Sequence, residues 1–224
     1  MIMEMNKTEK IQHIINEKLL FIIRTDNIES AMKCFEVLVE AGAKVIEFTS
    51  TIPNYQLAIK RAKESIKGEN ILIGAGTVLD KKLALQAIEG DPDFVVNPIQ
   101  NFEILEVIPK DKVIFMGAFT PTEVINNYWK GVDFIKVFPA STLGSKFIKA
   151  LKGGPMPFVR ILASGGMDLE IIEEYIISGA DVIGVGSEVV KKELVNSNNY
   201  EYMKNLAKKY IKKIENIREK GLFS

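Results

Sequence analysis

The sequence predicts a (β/α)₈ barrel of the TIM type, with an N-terminal capping helix and an extra C-terminal helix. Three observations carry this reading. Eight short apolar, β-branched runs recur along the chain: LLFIIR from 19, KVIEFT from 44, ILIGAG from 71, DFVVNP from 93, KVIFMG from 112, DFIKVF from 133, VRILAS from 159 and DVIGVG from 181. Segments with helical spacing lie between them, such as ESAMKCFEVLVEAG and LEIIEEYIISGA. Several of these end at a glycine just before the next run, at Gly42, Gly90, Gly131 and Gly179, which suits a left-handed helix cap. Strands alternating with helices imply parallel pairing with right-handed crossovers. Eight such units are the number that closes a barrel. A doubly wound open sheet is the alternative, but its usual glycine-rich turn after the first strand is missing from IIRTDN.

The elements follow in order. Residues 7–17 form a helix that caps the barrel bottom, and the barrel core spans about 18–195. Asp26, Asp80 and Asp168 are read as helix N-caps. Residues 199–219 place Met203, Leu206, Tyr210, Ile211, Ile214 and Ile217 on one helix stripe, with a lysine-rich face opposite. That helix reads as packed on the barrel with a solvated basic face. The 224 residues suit one domain of the larger kind, 1–224, and 47% apolar content suffices for its core.

Composition narrows the function. Twenty-nine basic residues balance 29 acidic ones, so no global field points to nucleic acid or an anionic membrane. A single cysteine, Cys34, excludes an internal disulfide and suggests a reducing cytoplasm. The N-terminal stretch is mixed and charged, unlike a signal peptide, and no run is long enough to span a membrane. The lone histidine, His13, reads as a solvated helix residue, and Cys34 as helix packing, so no metal site is expected.

In a barrel the reacting groups sit at the C-terminal strand ends. The polar residues there are Arg24, Glu47 with Thr49, Thr77, Asn97, Lys136, Ser164 and Ser187. Strand alternation sets Phe134, Lys136 and Phe138 on the inward face, with Ile135 and Val137 facing the helices. Glu47 shares an inward face with Val45 and Thr49. One reading of Lys136 and Glu47 is a buried ion pair; yet such pairs often add no net stability over apolar residues of equal size. The other reading is chemical. Free lysine titrates near 10.4, so only about one molecule in 2,500 is the neutral amine at pH 7. Burial lowers that value and creates a nucleophile for a carbonyl, with Glu47 as general acid/base. The glycine turns GAGT (74–77), SGG (164–166) and GVGS (184–187) follow strands three, seven and eight. Gly165–Gly166 and Gly186–Ser187 thus occupy the loops that frequently hold phosphate, although tight turns need glycine anyway.

VIEFT, GAGTVL, FVVNP, FIKVFPAS, SGG and GVGS occur in the order and spacing of the bacterial 2-keto-3-deoxy-6-phosphogluconate (KDPG) and 4-hydroxy-2-oxoglutarate (KHG) aldolases. The resemblance covers roughly residues 18–195. It implies a class I aldolase on a (β/α)₈ barrel that needs no cofactor or metal and commonly assembles as a homotrimer. Lys136 matches the Schiff-base lysine and Glu47 the general acid/base. Thr77, Pro98 and Phe138 match residues around the pyruvate moiety. Ser164, Gly165, Gly166 and Ser187 match the phosphate end, and Arg24 matches an arginine ending the first strand in some branches. Thr51 stands where relatives carry arginine or asparagine, Ala163-Ser164 where they carry proline-threonine, and Met116 where they carry proline. A threonine hydroxyl replacing an arginine implies a weaker hold on the substrate carboxylate.

The resemblance implies reversible cleavage of a 2-keto-3-deoxy-6-phospho sugar acid to pyruvate and glyceraldehyde 3-phosphate. Two other readings stay open: a phosphate-binding barrel isomerase or epimerase, and a barrel that binds a phosphorylated ligand without catalysis.

Overall fold

The computed structural model describes residues 5–66 and 69–222. The first four residues of the stretch read above as lacking a leader lie outside the described residues. Eight parallel strands close into a barrel in sequence order: β1 (Leu19–Ile23), β2 (Val45–Thr49), β3 (Leu72–Gly76), β4 (Phe94–Asn97), β5 (Val113–Ala118), β6 (Phe134–Val137), β7 (Ile161–Ser164) and β8 (Val182–Val185). Closure is made by β1 pairing with both β2 and β8.

Alternation along each strand sorts the buried side chains into two layers. Leu20, Val45, Phe94, Phe115, Phe134 and Leu162 fill the barrel interior. Phe21, Ile46, Ile73, Ile135, Ala163 and Ile183 face the surrounding helices. The Phe94 ring meets Phe115 edge-to-face, with centroids 5.6 Å apart, and Phe115 stacks on Phe134 at 4.5 Å. They form an aromatic floor across the barrel.

Around the barrel lie α2 (Ile28–Ala41), α3 (Tyr55–Ser65), α4 (Lys81–Ile88), α5 (Pro121–Trp129), α6 (Ala140–Leu143), α7 (Ser145–Lys152), α8 (Ile172–Ile177) and α9 (Lys192–Asn196). The helix α1 (Lys7–Glu17) closes the bottom. A capping box between Asn6 and Glu9 starts it, and Ile14 enters the interior core. The helix α10 (Tyr200–Glu219) begins at Asn199, whose side chain accepts from the Tyr202 amide at 3.3 Å. It buries Met203, Ala207, Tyr210, Ile214 and Ile217; Leu206 and Ile211 are only half-buried. Among the described residues, no helix is long and apolar enough to cross a membrane.

Several local expectations need correction. Asn27, not Asp26, caps α2, accepting from the Ser30 amide at 2.8 Å. Asp168 supplies only its carbonyl to the turn before α8. Gly90 is not left-handed; Asp91 takes that conformation with φ 52°. The β4–β5 connection is a single 3₁₀ turn, Phe102–Glu106, rather than a barrel helix. His13 is not simply solvated, because its Nε2 is buried without a hydrogen-bond partner.

The strands are locked at the bottom by a repeated device. An aspartate precedes each of β4, β6 and β8, and its carboxylate accepts the amide of the first or second residue of the strand before it. Asp93 takes Ile73 at 2.9 Å, Asp133 takes Ile114 at 2.8 Å and Asp181 takes Ile161 at 2.7 Å. Lysines neutralise these acids: Lys10 and Lys63 lie 3.4 and 3.2 Å from Asp93, Lys7 2.8 Å from Asp133 and Lys152 3.1 Å from Asp181. Lys10 and Asp93 are both buried. Asp93→Ala leaves that lysine and the Ile73 amide unpaired and is expected to cost about 3 kcal/mol. Asp93→Asn, which retains an acceptor oxygen, costs less. Urea unfolding measures both, and a wild-type midpoint for the alanine variant refutes the assignment.

Candidate active site

Two residues above the aromatic floor, β6 turns Lys136 into the barrel, where it is 4% exposed. Its backbone lies opposite Gly117 of β5 and Leu162 of β7. On the far side, β2 turns Glu47 inward, opposite Ile22 and Gly74, and it is 1% exposed. Glycine makes room for it. A Cβ at Gly76 would overlap the Glu47 carboxyl, and one at Gly74 would overlap the Phe94 ring. On β5 the same logic applies to Gly117, whose missing side chain admits the Pro98 backbone. Pro98 itself is half-buried at the top of β4.

The buried ion pair weighed from sequence does not form. Neither Glu47 oxygen has a hydrogen-bond partner, and among the described residues no salt bridge joins Glu47 to Lys136. The two groups still feel each other through space. Burial pushes the Glu47 carboxyl above the ordinary carboxylate range, against the pull of Lys136 and then Arg24. Burial pushes the Lys136 ammonium below the ordinary lysine value; Glu47 opposes this and Arg24 adds to it. Desolvation therefore outweighs mutual attraction on both sides, and both groups lean toward neutrality. A lysine shifted toward the amine is a better nucleophile for a carbonyl, and a glutamate shifted toward the acid is a better proton donor.

The rim over Glu47 is tightly bonded. Arg24 is exposed at the end of β1 and donates from Nη2 to Thr77 Oγ1 at 3.2 Å. Thr77 sits in the left-handed region with φ 56°, a strained conformation for a β-branched residue. Its carbonyl accepts from the Ser50 hydroxyl at 2.6 Å. Thr51 is exposed, and its hydroxyl lies 2.8 Å from that of Thr49. Since Thr49 donates to the Ile23 carbonyl at 3.1 Å, Thr51 is the donor of that pair.

Phe138 departs from its expected place. The strand ends at Val137, and the Phe138 ring stands 44% exposed at the mouth rather than inside the barrel. Lys136 Nζ lies 5.5 Å from its centroid. Beside it opens a cleft of about 540 Å³ lined by Arg24, Phe138, Ser164, Gly165, Ser187 and Lys192, among others. Ser164 is buried at the end of β7, while Ser187 is exposed. Gly165 and Gly166 both have positive φ, 91° and 73°.

Sequence reasoning missed three residues here: Lys192, its ion-pair partner Asp26 at 3.1 Å, and Glu188. The Glu188 carboxylate accepts from the amides of Gly166, Met167 and Gly186. The only available signal was an acid standing directly after GVGS, before an apolar pair. Cys34 is remote from the site; burial in α2 pushes its thiol up to about 12. Among the described residues, no group of three or more metal-binding side chains comes together.

Comparison with known proteins places this geometry. A 2-dehydro-3-deoxy-phosphogluconate aldolase from Haemophilus influenzae is 30% identical over 205 residues, covering 91% of this chain and 94% of that one. A 2-dehydro-3-deoxy-6-phosphogalactonate aldolase from Escherichia coli is 26% identical over 174 residues, covering 77% and 84%. Among solved structures, KDPG aldolase from Legionella pneumophila, with pyruvate captured as a covalent carbinolamine intermediate, superposes with a TM-score of 0.80. It is 25% identical, over 90% of this chain and 98% of that one. The profile of the KDPG and KHG aldolases matches residues 11–206. With that span taking in all eight strands and both Glu47 and Lys136, the chain belongs to the KDPG and KHG aldolase family.

Proposed function

We propose that the chain is a class I aldolase that reversibly cleaves a 2-keto-3-deoxy-6-phospho sugar acid into pyruvate and glyceraldehyde 3-phosphate. The carrying observation is the buried pair of Lys136 and Glu47, close enough to couple yet not bonded to each other. Lys136 attacks the C2 ketone as the neutral amine and gives a carbinolamine. Loss of its hydroxyl as water needs a proton, and burial, which raises the proton affinity of Glu47, makes this carboxyl the group to supply it. The iminium so formed is a new positive charge beside Glu47, and it favours the carboxylate. Glu47, directly or through a water, then takes the proton of the C4 hydroxyl as the C3–C4 bond breaks. The iminium accepts the electron pair, the aldehyde departs, and the enamine is protonated and hydrolysed to free pyruvate.

In this reading Thr77, Pro98, Thr51 and Phe138 surround the pyruvate half. Arg24, Ser164, Gly165, Gly166, Gly186 and Ser187 serve the phosphate half. The convergence of three loop amides on one carboxylate supports an anion receptor at that end. We also read the chain as a cytoplasmic homotrimer. The family resemblance and an exposed aromatic cluster support assembly: Tyr128 and Phe158 pack at 4.6 Å beside Trp129, which is 73% exposed.

Three outcomes are expected. Pyruvate with borohydride adds one reduced pyruvate unit to Lys136, also in excess EDTA. Trapping rises with pH through an inflection below the ordinary lysine value of about 10.4, because burial favours the amine. An unmodified Lys136 peptide ends the aldolase reading. For Glu47→Gln the imine still forms while turnover falls by about 10²–10⁴-fold; full activity would make Glu47 merely structural. Light scattering gives a trimer mass, and a monomer mass across a wide concentration range refutes the assembly.

A further inference from the structure

One carboxylate at the mouth has no part in the chemistry above. Glu188 follows Ser187 in the loop after β8, and its side chain folds back over that loop. The amides of Gly166, Met167 and Gly186 donate to it at 3.1, 3.2 and 2.8 Å. These amides come from the two loops assigned above to the substrate phosphate. An amide has one proton to donate. While Glu188 holds these three, an incoming phosphate oxygen finds them occupied and meets a like charge at the same place.

The neighbouring cations do not free those amides. Lys192 is already paired with Asp26 at 3.1 Å, and Arg24, which donates one bond to the neutral Thr77 hydroxyl at 3.2 Å, can draw an anion to the cleft but leaves the three amides with Glu188. Glu188 is only half-buried and borders the open cleft, so its side chain has somewhere to go. An ionised carboxylate only accepts hydrogen bonds. It therefore suits a tail ending in hydroxyl groups and opposes one ending in a phosphate dianion.

We propose that Glu188 is an internal competitor for the phosphate seat. It must leave its three amides before a phosphorylated tail can bind, and it thereby sets how strongly the enzyme prefers phosphorylated over unphosphorylated substrates. Binding to a seat that is free only part of the time is weakened by the free fraction. The assignment of substrate rests on the aldolase reading; the competition itself belongs to the loops.

The test is a calorimetric titration of the full chain with inorganic phosphate. Four proteins are compared: wild type, Glu188→Ala, Glu188→Gln and Asp26→Asn. Glu188→Ala is expected to bind phosphate about 10- to 100-fold more tightly than wild type, as for a seat otherwise filled about 90–99% of the time. Glu188→Gln falls between them, since it loses the charge and keeps one acceptor oxygen. Asp26→Asn removes an equal charge from the same cleft without freeing any amide, so it shifts affinity far less. Equal affinity in wild type and Glu188→Ala overturns the proposal. So does a gain in Asp26→Asn that matches Glu188→Ala, and so does an absence of binding to all four proteins. In turnover, the ratio of kcat/KM for phosphorylated and unphosphorylated forms of one keto-deoxy acid rises in Glu188→Ala; an unchanged ratio also overturns it. Failure of pyruvate to trap on Lys136 would remove the aldolase reading alone, since the phosphate titration does not depend on it.

Discussion

The top of the barrel is organised around keeping one amine and one carboxyl away from water. Both Lys136 and Glu47 lose hydration that their through-space attraction does not restore. An ionised carboxylate with no hydrogen-bond donor in a dry interior is costly, so the neutral form is favoured. This is the opposite of what a stability-driven arrangement would choose, namely a contact ion pair or two apolar side chains. The packed rings of Phe94, Phe115 and Phe134 seal the space beneath. Gly76 lets the carboxyl lie flat against the neighbouring strand. Each feature makes sense as a means of holding the pair dry and separate.

Such an interior needs a frame that does not relax around it. The aspartates before β4, β6 and β8 supply part of it, each binding a strand amide and a lysine at the barrel bottom. Two of those lysines belong to α1, so the helix that plugs the barrel is tied to the strands it covers. Stability is thus concentrated at one end and chemistry at the other, as expected when strand ends carry function.

Much of this was legible in the residues. The eight strands are buried on both faces and read as continuous apolar runs. Lys136 and Glu47 stood out because each breaks such a run, and period-two alternation gave their inward direction. Alternation failed at Phe138 because the strand stops one residue earlier. Asp26 and Asn27 are both competent caps, and only the helix phase separates them. His13 was misjudged because a short helix with mixed polarity does not reveal how deeply its ring will be covered. Glu188 was invisible for a different reason. Its role depends on two loops, distant in sequence, turning their amides toward one point, and no periodicity encodes that.

The two halves of the mouth are built differently, and this bears on what each can do. Around Glu47, the ends of β1, β2 and β3 are cross-linked by Arg24, Ser50 and Thr77. Thr77 is held in a left-handed conformation that costs of order 1–3 kcal/mol, so its neighbours must fix it firmly. Proton transfer depends on sub-ångström placement, and a rigid wall provides it. The wall after β7 and β8 relies instead on Gly165 and Gly166, which adopt positive φ without strain. Glu188 joins its two loops through three amides that another anion can take, while the loop carbonyls are held separately: Gly165 by the Ser141 amide, Met167 by the Tyr210 hydroxyl and Gly186 by the amides of Val189 and Val190. Removing Glu188 from its amides therefore frees those donors for the substrate tail while leaving the bonds around Glu47 in place. The fold thus separates adjustment to the substrate tail from the geometry that the reaction requires.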